Sequence, residues 1–579
     1  MDTDNVLEIE NLRICLGDRQ LVKNTTLTIR RKETLGLVGE SGSGKTLTAL
    51  SIMRLLPPKL RVSHGVIRFD SGSRNLLTMR PREIRQLMGD RISMIFQEPM
   101  STLNPVLPVG YQVREVLRAH YSMTNAEAEN EVVRVFERVR IPDAKRRMND
   151  YPHAFSGGMR QRIIIAAAVV CKPALLIADE PTTALDVTVQ AQVLSLLHEL
   201  QEEYGMAMLF ITHDMGVVST IADRVMVMRH GELVESSSVE DVFSKPKHPY
   251  TRELIASSFA FEADAAPEVP SDLPTVATVH GLTTRFDVRG GSFGQVTGRV
   301  HAVEDVSFEL TRGETMALVG ESGSGKSTTG RALVGLSIPS SGYIGYRNRR
   351  IERFDRENLR HLRSGIQMIF QDPFSSLNPR LRVQDAIAEP MIYQGLCANK
   401  AEARKQAAAY LERVGLDPAM GCRYPHEFSG GQRQRISIAR ALALKPDILV
   451  ADEAVSALDV TTKVRILELL KALQKDLAIS ILFISHDIAA VKKISHRIAV
   501  MYMGRIVEIG PSKSVLEQPA HDYTKRLLSA TLTLDGQRRR LPADSESREI
   551  PSLIQPLHYV APPHTMQQIG LGHSVLVPA

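Results

Sequence analysis

The sequence predicts an α/β chain made of two similar halves, because the phosphate-binding pattern G-x-x-x-x-G-K-[ST] occurs twice. The first copy is Gly39–Thr46 and the second is Gly320–Ser327. Each follows a short apolar run, Leu35–Val38 or Met316–Val319, of the kind that forms a buried parallel strand. At 579 residues the chain is also too long for one ordinary core. We therefore expect two tandem domains, each with one phosphate loop.

Composition narrows the class of protein. Hydrophobic residues make up 43% and charged residues 23% of the chain, which is typical of a globular protein, and no apolar run reaches the roughly 18 residues needed to span a bilayer. The acidic start Met1–Asn5 lacks the features of a signal peptide, so we expect a cytoplasmic location. The four cysteines include no C-x-x-C pair, which argues against a zinc site or a disulfide framework.

The charge balance gives only a weak indication of partners. A net charge of +6 and a pI near 9.0 are compatible with nucleic acid or anionic lipid. No basic stripe interleaved with aromatic residues accompanies this charge, so we expect a solvated surface or one close to a membrane, and no nucleic acid.

Each element of the first half has a sequence signal. Val6–Ile14 and Leu21–Ile29 predict antiparallel strands before the first phosphate loop. A helix is expected from Lys45 until Pro57 stops it. After the strand and amide of Ile92–Gln97, a helical insertion runs to Tyr151, and in it Thr124 and Glu127 form a capping box before an amphipathic helix.

Three further segments of the first half carry polar groups of the kind that bind ligands or take part in reactions. Ser156–Gly158 precedes a buried helix, and such a helix start can bind an anion. The apolar run Leu175–Ala178 delivers Asp179 and Glu180 to the carboxyl end of a strand, where parallel sheets hold ligands. A second apolar run, Met208–Thr212, is followed by His213. Between these two apolar runs, Asp186 precedes a predicted helix.

The second half repeats these segments in the same order. The glutamate follows the Ser-Gly-Gly serine by 24 residues in both halves (156 to 180, 429 to 453), and the histidine follows the glutamate by 33 (180 to 213, 453 to 486). These equal spacings indicate a duplication.

The expected domain boundaries follow from composition. The first domain spans 1–258, an acidic linker rich in Pro and Ala spans 259–278, the second domain spans 279–530, and a tail spans 531–579. Within the second domain, 287–300 is expected to be a flexible hairpin tip or loop. The basic triplet Arg538–Arg540 in the tail is given no function.

Together these motifs resemble the nucleotide-binding domain of the ATP-binding cassette (ABC) superfamily, over about residues 5–255 and 276–530. The resemblance implies, in each half, a P-loop core with an antiparallel β subdomain and a helical subdomain. It also implies sites for ATP and Mg²⁺. The ATP-binding residues it implies are Gly39, Glu40, Ser41, Gly42, Ser43, Gly44, Lys45, Thr46, Gln97, Ser156, Gly157 and Gly158 in the first half, and Gly320, Glu321, Ser322, Gly323, Ser324, Gly325, Lys326, Ser327, Gln371, Ser429, Gly430 and Gly431 in the second.

The resemblance also assigns chemical roles. Glu180 and Glu453 are expected to orient or deprotonate the attacking water, and His213 and His486 to hold the γ-phosphate. The lysines face the β- and γ-phosphates. The ligands expected for Mg²⁺ are Thr46, Gln97 and Asp179 in the first half, and Ser327, Gln371 and Asp452 in the second. The D-loop aspartates are Asp186 and Asp459.

The superfamily explains the duplication as an intramolecular pair of cassettes. The resemblance implies that each ATP lies between the phosphate loop of one half and the Ser-Gly-Gly of the other. One site would combine Lys45 and Glu180 with Ser429, and the other would combine Lys326 and Glu453 with Ser156. Both sites have a full set of residues, so we expect two hydrolytic sites.

Longer sequence motifs indicate which subfamily of ABC proteins the chain resembles. The segments 96–105 and 370–379, and the motifs His248-Pro249-Tyr250 and His521-Asp522-Tyr523, are similar to those of dipeptide, oligopeptide and nickel importers that fuse two cassettes, such as glutathione-type and microcin C-type systems. That branch implies two integral-membrane permeases, a periplasmic solute-binding protein, and a location on the cytoplasmic face of the bacterial inner membrane. The alternative is a soluble twin-cassette ATPase that acts on ribosomes or DNA. The short acidic linker disfavours it.

The sequence departs from the family pattern in three places. Leu16 in the first half and Phe286 in the second occupy the position where many cassettes stack an aromatic ring on adenine, so Phe286 is the expected adenine contact. Ala454 replaces the proline that usually follows the catalytic glutamate, and we expect a modest change in backbone stiffness there. The cysteine cluster of some relatives is absent from the sequence.

Overall fold

The structure is a computed structural model that describes residues 4–70, 72, 74–97, 102–183, 185–263, 273–290, 295–456, 458–529 and 553–578, with backbone alone at 259–263 and 373–374. The chain forms two compact units, one built mainly from residues up to Phe259 and the other mainly from residues after it. This division agrees with the duplication in the sequence, although the domain boundaries given above stay predictions.

The first unit contains a six-stranded sheet and a three-stranded antiparallel sheet. The strands lie in the orders β5-β6-β7-β3-β8-β9 and β2-β1-β4, and all strands of the larger sheet are parallel except β9. The strands are β1 Asn5–Leu16, β2 Arg19–Arg30, β3 Thr34–Val38, β4 Leu60–Phe69, β5 Ile92–Ile95, β6 Leu175–Asp179, β7 Ala207–Thr212, β8 Arg224–Arg229 and β9 Glu232–Ser238.

Helices surround the larger sheet of the first unit. They are α1 Lys45–Ile52, α2 Pro81–Leu87, α3 Val109–His120, α4 Asn125–Arg138, α5 Ala144–Arg147, α6 Gly157–Val169, α7 Val187–Tyr204, α8 Met215–Ile221, α9 Val239–Ser244 and α10 Pro249–Ala263, with short 3₁₀ turns at Leu76–Thr78 and Pro152–Ala154. Apolar residues of α3, α4 and α6 share a core with one face of the sheet, which is the expected helical subdomain. The predicted capping box is confirmed, since Thr124 and Glu127 bond reciprocally at the start of α4.

The second unit repeats this plan and enlarges both sheets. The strand orders are β15-β16-β17-β12-β18-β19-β22-β21 and β14-β13-β10-β11-β20. The strands are β10 Thr275–Gly290, β11 Gln295–Thr311, β12 Thr315–Val319, β13 Ser341–Tyr346, β14 Arg349–Ile351, β15 Ile366–Ile369, β16 Ile448–Asp452, β17 Ser480–Ile484, β18 Arg497–Tyr502, β19 Arg505–Pro511, β20 Ile554–Gln555, β21 His564–Gly570 and β22 His573–Pro578.

The helices of the second unit follow the same order as those of the first. They are α11 Lys326–Leu333, α12 Arg356–Gly365, α13 Pro373–Ser376, α14 Val383–Tyr393, α15 Lys400–Arg413, α16 Gly430–Leu442, α17 Val460–Leu477, α18 Ile488–Ile494, α19 Ser512–Glu517 and α20 Asp522–Ser529, with 3₁₀ turns at Pro418–Cys422 and Pro425–Glu427. Among the described residues of both units, no helix is both long enough and apolar enough to cross a bilayer.

The structure corrects several expectations about element ends. The helix after the first phosphate loop ends at Ile52, before the prolines that were expected to stop it. Helix α10 reaches Ala263 and β10 begins at Thr275, so both ends of the predicted linker 259–278 belong to regular elements. Its central residues 264–272 lie outside the described ones. The expected loop 287–300 is mostly strand, since β10 continues to Gly290 and β11 begins at Gln295.

The end of the chain contains strands that the sequence did not predict. Strand β20 pairs with β11, and the hairpin β21–β22 extends the eight-stranded sheet beyond β19. The basic triplet Arg538–Arg540 lies outside the described residues.

Candidate active site

The first phosphate loop joins β3 to α1 and closes around a lysine. Lys45 Nζ donates hydrogen bonds to the carbonyl oxygens of Gly39 at 2.8 Å and Glu40 at 2.9 Å. Gly39 has a φ of +152°, and a Cβ there would lie 2.1 Å from the carbonyl oxygen of Met228. Only glycine fits this backbone, so the glycine in the motif has a steric cause.

The second phosphate loop joins β12 to α11 with the same geometry. Lys326 Nζ donates to the carbonyl oxygens of Gly320 at 2.8 Å and Glu321 at 2.7 Å. A Cβ at Gly320 would lie 2.1 Å from the carbonyl oxygen of Met501. Burial lowers the pKa of Lys326. An ammonium group withdrawn from water in this way gains more from an anionic ligand than an exposed one does.

A hydroxyl and a carboxylate meet beside each lysine. Thr46 Oγ1 donates to Asp179 Oδ1 at 3.3 Å, and Ser327 Oγ donates to Asp452 Oδ1 at 2.7 Å. The aspartates are the last residues of β6 and β16. Burial raises the pKa of Asp179 to about 6, and burial also raises the pKa of Asp452. Each unit therefore holds a buried carboxylate next to its phosphate loop.

The glutamate after β6 is the centre of a three-residue cluster. Gln97 Nε2 donates to Glu180 Oε2 at 2.8 Å, and His213 Nδ1 lies 3.1 Å from Glu180 Oε1. The three side chains follow β5, β6 and β7, which are adjacent parallel strands, so the sheet delivers them to one edge. Burial alone would raise the pKa of Glu180, but the hydrogen bond and charge of His213 outweigh it and lower this pKa to about 2.

The second unit brings together the equivalent cluster. Gln371 Nε2 donates to Glu453 Oε2 at 2.6 Å, and His486 Nδ1 lies 3.4 Å from Glu453 Oε1. Burial opposes the charge of Glu453, but His486 outweighs it and the pKa of Glu453 is lowered. Burial alone would lower the pKa of His486, but Glu453 outweighs it and raises that pKa. Both glutamates are thus held ionised next to an imidazole.

Each glutamate adopts a left-handed backbone conformation. The φ angle is +48° at Glu180 and +47° at Glu453. Such a conformation is uncommon for a residue with a side chain and persists where the surroundings enforce it. Its occurrence at the same position in both units identifies a turn that aims the carboxylate at its amide and histidine neighbours.

The Ser-Gly-Gly segments begin α6 and α16. Ser156 Oγ accepts a hydrogen bond from Met159 N at 3.3 Å, and Ser429 Oγ accepts one from Gln432 N at 3.4 Å. Both serines are exposed. They are N-caps of helices in the helical subdomains, and the ATP that each one serves stays a prediction.

The two expected adenine positions are exposed. The side chain of Leu16 at the end of β1 is 44% exposed, and that of Phe286 in β10 is 48% exposed. Each is accessible to a ligand ring, and contact of Phe286 with adenine stays a prediction.

Sequence reasoning missed one residue at each phosphate loop. The backbone N–H of Glu40 donates to Tyr250 Oη at 3.1 Å, and that of Glu321 donates to Tyr523 Oη at 2.8 Å. The signal was present in the sequence, because these tyrosines end the His-Pro-Tyr and His-Asp-Tyr motifs. These motifs, which served above only to identify the importer subfamily, therefore also contain the residue that contacts the phosphate loop.

Comparison with known proteins agrees with this geometry. Residues 22–183 and 303–456 match the ABC transporter family, and residues 234–289 and 507–555 match the C-terminal region of oligopeptide and dipeptide transporters. The chain belongs to the ABC transporter family, and it is an ATP-hydrolysing subunit with two cassettes.

The individual relatives are importer subunits. The chain is 48% identical over 601 residues to the glutathione import ATP-binding protein GsiA of Pectobacterium atrosepticum, a match that covers 98% of this chain and 96% of the relative. It is also 48% identical over 616 residues to the protein of the same name from Escherichia coli strain K12, covering 100% of this chain and 98% of the relative. Among solved structures, an ABC transporter component from Clostridium perfringens is 29% identical and covers 42% of this chain and 91% of its own, with a TM-score of 0.37.

Proposed function

We propose that the chain powers the uptake of glutathione or closely related short peptides, with hydrolysis at both of its ATP sites. The observation that carries the proposal is the presence of a complete glutamine, glutamate and histidine cluster beside a phosphate loop in each unit. The near full-length identity to glutathione import proteins supports the choice of solute class.

The lysines and loop backbones account for ATP binding. Lys45 and Lys326 are held by carbonyl oxygens of their own loops, so each ammonium is already in place to meet the β- and γ-phosphates when ATP enters. Preorganised charge of this kind costs little reorganisation on binding. The glycines at the loop starts allow the backbone to approach the phosphates closely.

The residues beside the lysines fit Mg²⁺. The Thr46 and Asp179 pair and the Ser327 and Asp452 pair offer hydroxyl and carboxylate oxygens, which are the donors that Mg²⁺ prefers. A buried carboxylate whose burial raises its pKa gains from a neighbouring cation. Thr46, Asp179 and the Gln97 amide would hold the ion in the first unit, and Ser327, Asp452 and the Gln371 amide in the second. The ion would neutralise charge on the phosphates.

The glutamates would position the water that attacks the γ-phosphate. Glu180 and Glu453 are ionised, so each can accept a hydrogen bond or a proton from a water molecule. His213 and His486 contact the same carboxylates and would hold the γ-phosphate as charge moves onto it.

The proposed partners are those of the importer subfamily that the chain resembles. Two permease subunits would receive the conformational change, and a periplasmic solute-binding protein would present the peptide to them, so the chain would work at the cytoplasmic face of the inner membrane. The importer relatives favour this assignment over a ribosome- or DNA-bound ATPase.

A purification of the tagged chain from native membranes tests this assignment. We expect two integral-membrane proteins to co-purify in equal amounts, and we expect the deletion strain to lose growth on glutathione as the sulfur source. Recovery of the chain with ribosomes and without membrane proteins would reject the importer. Normal growth on glutathione with lost growth on another peptide would reject only the solute.

A further inference from the structure

A tyrosine hydroxyl is bonded to each phosphate loop. Tyr250 and Tyr523 accept a hydrogen bond from the backbone N–H of the second loop residue, at 3.1 Å and 2.8 Å. Both tyrosines are buried, and each lies at the start of a helix, α10 or α20, far along the chain from the loop. Each bond fixes one peptide group of its loop.

The tyrosine rings are held by the last residue of a neighbouring strand. The guanidinium of Arg229 at the end of β8 lies 4.5 Å from the centre of the Tyr250 ring. In the second unit Tyr502, at the end of β18, stacks on Tyr523 with ring centres 4.2 Å apart. Either contact restricts the ring, so the hydroxyl stays directed at the loop.

A buried carboxylate anchors the start of each tyrosine helix. Glu235 accepts hydrogen bonds from the backbone N–H groups of Lys247 and His248, at 2.9 and 3.0 Å. Glu508 accepts the equivalent bonds from Ala520 and His521, both at 2.9 Å. This carboxylate sets where the helix begins and therefore where its tyrosine lies.

The second unit adds one more contact to this carboxylate. His573 Nε2 donates to Glu508 Oε1 at 2.8 Å, and both side chains are buried. His573 begins β22, whose Val575 pairs with Glu508 across the sheet. In the part of the first unit that the structure describes, β9 is the last strand of the sheet, so Glu235 has no counterpart of β22 beside it.

We propose that Tyr250 and Tyr523 are positioning residues for the two phosphate loops, and that the C-terminal hairpin supports the second loop alone, through His573 and Glu508. This inference rests on the proposed role of Gly320–Ser327 in ATP binding. A loop fixed in its binding conformation loses less entropy when ATP enters, so the support acts on affinity more than on the rate of the bound complex.

The test measures each ATP site separately in the full-length chain. In a Lys45→Ala background, binding of a non-hydrolysable ATP analogue with Mg²⁺ reports the second site. There we expect Tyr523→Phe to weaken binding about three- to tenfold, as the loss of one hydrogen bond predicts. Phe keeps the ring stacked on Tyr502, so thermal stability should change little. The KM for ATP should rise while kcat stays near that of the parent.

The hairpin is tested by a matched set of His573 variants. His573→Ala should weaken binding at the second site, and His573→Gln, which keeps a donor, should restore most of the affinity. In a Lys326→Ala background, which leaves only the first site, His573→Ala should have no effect. Equal losses at both sites, no rescue by Gln, or unchanged binding in Tyr523→Phe would overturn the proposal.

The same data separate this inference from the ATP-site assignment. If the Lys45→Ala, Lys326→Ala double variant still bound the analogue, the assignment of the phosphate loops would be wrong. If that double variant lost binding while the tyrosine and histidine variants bound the analogue normally, the assignment of the phosphate loops to ATP binding would be supported. The proposed positioning role would then be rejected.

Discussion

Gln97 Nε2 donates a hydrogen bond to Glu180 Oε2 at 2.8 Å. The amide and the carboxylate belong to residues 83 positions apart in the chain, and two adjacent parallel strands bring them together. The second unit repeats the bond between Gln371 and Glu453 at 2.6 Å. This relationship ties a residue expected at the metal ion to the residue expected at the attacking water, once in each cassette.

The two glutamates should contribute equally to hydrolysis, because their surroundings are alike. We expect Glu180→Gln and Glu453→Gln each to remove about half of the steady-state ATPase activity, and the double variant to lower it by about 10²–10⁴, which is what a general base contributes to the rate. Phosphate release at saturating ATP measures this, with analogue binding as the control for folding. Unchanged activity in one single variant and complete loss in the other would contradict equal sites.

The first glycine of each phosphate loop should tolerate no side chain. A Cβ at Gly39 would approach the Met228 carbonyl oxygen to 2.1 Å, so Gly39→Ala must displace the loop. We expect loss of ATP binding at that site, measured in the Lys326→Ala background. Gly42→Ala is the matched control, because its φ of +80° is strained for alanine but nothing lies within 4 Å of the added Cβ. A smaller loss for Gly39→Ala than for Gly42→Ala would contradict the steric account.

The residues after Glu180 and Glu453 should affect stability and leave activity unchanged. Pro181 follows Glu180 and Ala454 follows Glu453, and the two glutamates have φ angles of +48° and +47°. Because the turns match, proline should fit at 454, and Ala454→Pro should raise the unfolding free energy by about 0.4–1 kcal/mol through the unfolded state. Urea unfolding measures this, and Pro181→Ala should show the opposite change. A stability loss in Ala454→Pro would show that the two turns differ.

The Glu508 carboxylate should make stability depend on pH. Burial alone would raise its pKa, but hydrogen bonds from Ala520, His521 and His573 help to outweigh burial and the pKa of Glu508 is lowered. A lowered pKa gives stability that is fully present above the unfolded value of about 4.3 and is lost as pH falls through the folded value.

The unfolding free energy of the wild type relative to Glu508→Gln measures this dependence. The difference should shrink as the pH falls below about 4.3, where the carboxyl group of the unfolded chain takes up its proton. Glu235→Gln is the control in the first unit and should show the same sign, since the pKa of Glu235 is also lowered. A difference that grows as the solution is acidified would contradict the account.

Local patterns in the sequence predicted much of the fold and most of the site. The order of strand, loop and helix around Gly39–Thr46 and Gly320–Ser327, the strands that end in Asp179 and Asp452, and the capping box at Thr124 are confirmed, because each depends on neighbours close in sequence. The sequence did not predict the hydrogen bond between Gln97 and Glu180, which the adjacent parallel strands β5 and β6 bring about.

The remaining features depend on pairings between distant segments. Strand β22 pairs with β19 across more than 60 residues, Glu508 opposite Val575, and the exposed strand β21 beside it has no alternating apolar face that would mark it in the sequence. The Tyr523 contact to Glu321 likewise joins residues 202 positions apart. The His-Asp-Tyr motif marks Tyr523 in the sequence, but its contact with Glu321, like the pairing of β22 with β19, is visible only in the folded chain.

The most direct test of the account is peptide uptake into proteoliposomes that contain the chain and its co-purified permeases. With ATP inside and the solute-binding protein outside, we expect labelled glutathione to accumulate against a gradient, and we expect the Glu180→Gln, Glu453→Gln double variant to abolish accumulation. ATP hydrolysis by the wild type without accumulation of glutathione or any short peptide would contradict the account.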